Sequence, residues 1–103
     1  MALPNIEKTY NMLGNCLVPG SYGLGGQCEN ITGDLNTACG NQTGFYMGNG
    51  LENKPEGSSP WIYVIHLVHN ELFKKQIAFH FSANNIWVRT MINGTWSDWQ
   101  AII

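Results

Sequence analysis

The chain has 103 residues, 44% of them hydrophobic and 12% charged; a chain this short buries roughly 65% of its unfolded surface, enough for one small domain and too little for two. Five Lys plus Arg against seven Asp plus Glu leave a net charge of -2, which lacks the basic footprint that nucleic acid or an anionic lipid surface requires. The longest apolar run, 61–67 with His66 inside it, is far below the ~20 residues of a membrane span, and the first residues lack the basic-then-apolar pattern of a signal peptide; a soluble chain without membrane insertion is expected.

In chain order, Asn5 is placed to cap a short helix over residues 6–13, with Ile6, Tyr10 and Leu13 on one face and Gly14 after it. Two turns are marginal in water, so such a helix needs a partner surface. Residues 19–26, PGSYGLGG, have the composition of close-packed irregular backbone anchored by Tyr22 and Leu24, and match neither phosphate-loop pattern. We therefore assign 1–33 to a helix and glycine-rich neck and 34–103 to a β-rich domain. Twelve Gly, four Pro and many Asn, Ser and Thr favour short strands throughout.

Strands are predicted over 45–47, 61–68, 76–81 and 86–92, with a last segment over 95–103. Both faces of 61–68 are largely apolar, which marks a central strand. Residues 82–85 read as a hairpin turn, and Asn93-Gly94 is a type I′ signal because both positions tolerate φ > 0. Residues 48–60 contain Pro55 and Pro60 and are predicted to be an exposed loop able to carry recognition.

The three cysteines, Cys16, Cys28 and Cys39, are an odd number and are read as reduced; the alternative is a disulfide with one thiol left over. No GxSxG or HExxH motif is present, and Asp34 reads as a turn or cap residue more readily than as half of a catalytic carboxylate pair with Asp98. No cofactor is expected. His66 and His69 are three apart on a strand and face opposite ways. His80, between Phe79 and Phe81, is the one that could meet its copies around a three-fold axis and hold a metal. The sequons at Asn30, Asn41 and Asn93 are read as turn residues. Trp61, Trp87, Trp96 and Trp99 with several Asn form an inventory suited to a carbohydrate, stacked on rings and hydrogen-bonded by amides, although each ring is also a core filler. Arg89 is expected to pair or stack on Trp87 or Trp99.

The succession Asp34-Leu35-Asn36-Thr37, Gly44-Phe45-Tyr46, a proline-containing loop, Gln76-Ile77-Ala78, Val88-Arg89-Thr90 and Asn93-Gly94-Thr95-Trp96-Ser97-Asp98-Trp99-Gln100 resembles the knob domains of bacteriophage tail fibres and R-type pyocin fibres. The segment Tyr22-Gly23-Leu24-Gly25-Gly26 is similar to what precedes such knobs, so the resemblance covers about residues 20–103. It implies the C-terminal receptor-binding tip of a virion fibre, a mainly β homotrimer that binds a bacterial surface polysaccharide or outer-membrane receptor without catalysis. Leu35, Phe45, Tyr46, Arg89, Trp96 and Trp99 look like scaffold in this pattern, which leaves the loops for the receptor. The candidate ligand contacts are Trp61, Asn84, Asn85, Asn53 and Lys54. The stretch 28–39 and the histidines depart from the pattern. The alternatives are a glycan-depolymerising tail module and a secreted lectin.

Overall fold

The computed structural model describes residues 18–103; the expected helix over 6–13 and Cys16 lie outside them. The described chain is mainly β, a seven-stranded sheet in the order β1 (Glu29–Ile31), β2 (Gly44–Asn49), β3 (Trp61–Asn70), β4 (Phe73–His80), β5 (Ile86–Ile92), β6 (Thr95–Trp96), with β7 (Gln100–Ala101) also on β5. Every pairing is antiparallel except β1 with β2. β3 is central in sequence order and in space, as its two apolar faces predict. Residues 29–31, in the segment read as a neck, add a strand to the sheet edge.

Alternation sends one row of side chains from each strand to the same face. The register Tyr46–Val64–Ala78–Trp87 and its neighbours Ile62, His66, Gln76 and Arg89 make up that face, and all of these residues are buried. What covers it is irregular chain. Leu35 and Cys39 arrive from the loop after β1, and Leu51 from the loop after β2, each at most 3% exposed. The 48–60 insert is thus only partly the exposed loop its composition suggests. Leu51 and Pro55 are buried because a sheet face of this size needs a second layer and no helix supplies one among the described residues.

Two close backbone approaches fix how the chain enters the sheet. Residues 21–23 form a single 3-10 turn with Tyr22 and Gly23 both at positive φ. A Cβ on Gly23 would collide with the Phe45 carbonyl, and one on Gly44 would collide with Tyr22, so glycine is required at both. Tyr22 is half-buried here, whereas Leu24 is exposed, so one of the two expected anchors is seated. Asn93 and Gly94 both have positive φ and turn β5 into β6, as a type I′ turn demands. The final segment is two short strands, interrupted at Ser97, whose N–H donates to the Thr90 carbonyl.

Candidate functional site

The residues that carry the fibre-like pattern converge, and they converge inside the protein. Arg89 on β5 donates from Nε to Gln76 Oε1 on β4 at 2.9 Å and from Nη1 to Asn36 Oδ1 at 2.7 Å. Gln76 Nε2 in turn lies 3.1 Å from His66 Nδ1, and His66 Nε2 lies 3.0 Å from the Gly40 carbonyl oxygen. A carbonyl only accepts, so Nε2 carries the proton and Nδ1 accepts from Gln76; the imidazole is the neutral tautomer. Burial first, and then the nearby Lys74 and Arg89 cations, hold the His66 pKa below the usual histidine value, although the Gly40 hydrogen bond opposes this.

The guanidinium of Arg89 lies 4.2 Å from the Trp96 ring centroid and 4.6 Å from that of Trp99. The expected stack on Trp99 is present, Trp96 provides a second one, and Trp87 is a core residue instead. Stacking and planar hydrogen bonding suit an arginine that is 4% exposed. Burial lowers its pKa to about 10, so it remains charged at neutral pH. Both indoles are pinned to the covering loops: Trp96 Nε1 donates to the Asn36 carbonyl at 3.1 Å and Trp99 Nε1 to the Asn53 carbonyl at 2.8 Å.

Asp34 closes this arrangement. Its Oδ1 accepts from the Asn36 N–H and from Asn53 Nδ2, both at 2.8 Å, while its backbone forms a bridge with Glu52. Those two donors lower its pKa. Asp34 is the turn residue that the sequence indicates, an ionised acceptor holding two loops together. Asn53, a candidate ligand contact, spends its amide on Asp34 and has a positive φ. Lys54 donates to Ser58 Oγ at 3.2 Å, within its own loop.

The other candidate contacts lie at one end of the sheet. Asn84 and Asn85 line a cavity of about 380 Å³ with Phe79, His80, Ala83, Ile86 and Ile103. The hairpin tip that shapes it is held by His80, whose Nδ1 accepts from the Ser82 and Ala83 N–H groups at 3.2 and 3.0 Å. This leaves only Nε2 of His80 for any other partner. Trp61 begins β3 at the same end and is exposed; Ser59 links it to Phe81 by accepting the Phe81 N–H at 2.9 Å and donating to the Trp61 carbonyl. Phe81 stacks on Tyr63 with centroids 5.9 Å apart. Trp61, Asn84 and Asn85 therefore share one end, and Asn53 and Lys54 lie in the loop over the buried face.

A second concavity of about 520 Å³, between the 48–60 loop and β7, is lined by Glu56, Asp98, Trp87, Trp99 and Ala101. Glu56 is a residue that sequence reasoning passed over, because nothing local in KPEGSS links it to Asp98. Among the described residues no group of three or more His, Cys, Asp or Glu is arranged to hold a metal ion. Cys28 and Cys39 are both free thiols, and burial pushes Cys39 up to about 12, which makes it unreactive.

The family model described as the XkdV N-terminal domain matches residues 25–102, most of the chain. No curated protein and no solved structure matches.

Proposed function

The chain belongs to the XkdV N-terminal domain family, a phage-related prophage-tail domain, and on that premise we propose that this phage-tail protein is a receptor-binding module of a tail fibre. In this reading it is a homotrimer that adheres, without catalysis, to a bacterial surface glycan such as lipopolysaccharide. The family takes its description from an N-terminal domain, so the proposal attaches receptor binding to the domain itself and not to its place in a longer chain.

One observation carries it. The buried cluster around Arg89 ties the motif residues into scaffold, and the side chains left free for recognition, Trp61, Asn84 and Asn85, gather at a single end of the sheet beside a concavity with an aromatic wall. Ring faces and amides are what a sugar uses. Asp34, the carboxylate of the motif, is committed to two donors and stays ionised, which suits a structural acceptor and not a general acid. Labelled protein titrated against surface polysaccharides from a panel of bacteria tests the reading: saturable binding to particular strains, competed by the same free polysaccharide, is the expected result, and indifference to every glycan refutes it.

A second reading has its own observation. Glu56 and Asp98 share a concavity with two tryptophans, and two carboxylates beside aromatic rings are also what glycoside hydrolysis uses. Shortening of purified polysaccharide by the wild type, lost in Glu56→Gln and Asp98→Asn, would establish depolymerisation; unchanged polymer length removes it.

A further inference from the structure

The concavity of about 520 Å³ between the 48–60 loop and β7 carries charge of one sign only. Glu56 and Asp98 line it together with Trp87, Trp99 and Ala101, so none of its walls is basic. It exists because Ala101 pairs with Trp87 across β5 and β7 and is too small to cover the indole. Trp87 is 8% exposed, and its N–H has no acceptor among the described residues. Among those residues Arg89 Nη2 is the one buried side-chain polar atom that is both sealed and unpartnered. The Trp87 N–H is therefore not sealed, and it opens on the concavity that Trp87 lines. An indole N–H at such depth ordinarily has a hydrogen-bond partner, and here a ligand is left to supply it.

We infer that this concavity binds a sugar that carries a free, charged amine. Two carboxylates without a basic neighbour call for a cation, which indole rings also favour, and the lone indole N–H calls for an oxygen. A hydroxyl next to an ammonium meets both demands on one pyranose ring. A neutral sugar leaves the two carboxylates without a countercharge, and an inorganic cation brings no hydroxyl for the N–H. The volume lies within the roughly 300–1,000 Å³ of small-molecule sites. Its walls are set in advance: Trp99 is held by the Arg89 guanidinium at 4.6 Å and by the Asn53 carbonyl at 2.8 Å. The turn that presents Glu56 is closed by the Ser58 N–H on the Pro55 carbonyl at 3.2 Å. The inference goes beyond adhesion at the Trp61 end and does not depend on it. It assigns binding, and not bond cleavage, to Glu56 and Asp98.

The test is a nuclear magnetic resonance titration that reads the indole N–H signals, run with the glucosamine disaccharide and with its N-acetylated form at slightly acidic pH, where the free amine is charged. The expected result is saturable binding of the amine form that shifts the Trp87 indole signal, with the N-acetylated form several-fold weaker. Glu56→Gln and Asp98→Asn should each weaken binding about fivefold, the worth of one exposed charge pair, and added salt should weaken it further. Both side chains are exposed, so neither substitution disturbs the fold. Glu71→Gln removes the same charge in the β3–β4 turn and should bind as the wild type does. Equal binding of the two disaccharides, a Trp87 signal that does not move, or an equal loss in Glu71→Gln overturns the inference. Cleavage of the disaccharide overturns it in favour of hydrolysis. Each of these outcomes leaves adhesion at the Trp61 end to be judged by its own polysaccharide titration.

Discussion

Arg89 and Asn36 stand 53 residues apart in the chain and are joined at 2.7 Å by a charge-assisted hydrogen bond that ties β5 to the loop covering the sheet. Removing the guanidinium strands Gln76 Oε1 and Asn36 Oδ1 in the interior. Arg89→Met is therefore expected to cost on the order of 3 kcal/mol by urea denaturation at fixed protein concentration. Arg89→Lys should recover little of that, because a lysine keeps the charge but loses the fork and the planar stack between two indoles. A near-neutral Arg89→Lys would refute the cluster as described.

The His66 pKa lies below its unfolded value of about 6.5, so the unfolded chain binds the proton more readily. The sign follows: this contribution to stability is complete above pH ~6.5 and is lost as pH falls from there toward the folded pKa. Thermal midpoints measured between pH 8 and 5 should decline below 6.5. His66→Gln should be less stable throughout, with a shallower slope. A wild-type midpoint that rises on acidification would contradict the assignment of a neutral imidazole.

Glycine positions should rank by what their Cβ would meet. Gly23→Ala and Gly44→Ala each place a methyl into backbone, at the Phe45 carbonyl and at Tyr22 respectively, and should cost several kcal/mol or prevent folding, since close-packed backbone has nowhere to move. Gly50 has a comparable positive φ of 62° with nothing within 4 Å. Gly50→Ala should cost only about 1 kcal/mol, the left-handed conformation alone. Equal losses at Gly23 and Gly50 in thermal melts would show that contact plays no part.

Much of this was legible before any coordinates. Alternation and turn chemistry gave β3, β5 and the Asn93-Gly94 turn, because period-two patterning and φ > 0 preferences are local properties. β1 was not legible: three residues without alternation become a strand only by pairing with β2. Leu51 and Pro55 are isolated in a polar loop, and nothing in such a loop says that its one large apolar side chain plugs a sheet. The partner of Arg89 was half legible, since an arginine on a strand needs a stack, but Trp96 reaches it only through the β5–β6 turn. Likewise two apolar faces predicted a central strand correctly without revealing that one face has no covering layer among the described residues.

The candidate contacts should separate by function. Trp61→Ala and Asn85→Ala are expected to weaken glycan binding roughly tenfold each with little change in melting temperature, because both side chains face solvent at the loop end. Asn53→Ala should do the reverse, lowering the melting temperature through its lost bond to Asp34 and the positive φ that alanine tolerates less well while bound affinity per folded molecule holds. Binding isotherms beside melting curves distinguish the two classes, and loss of affinity in Asn53→Ala alone would relocate the site to the covering loop.

The account stands or falls on adhesion multiplied by assembly. The measurement that reaches it most directly is surface plasmon resonance of the protein on a dense layer of the recognised polysaccharide, set against its affinity for monovalent oligosaccharide in solution. Retention on the layer roughly 100-fold or more tighter than the per-site affinity in solution is the predicted result. Equal affinity for the layer and for the monovalent oligosaccharide, or no retention at all, would contradict it.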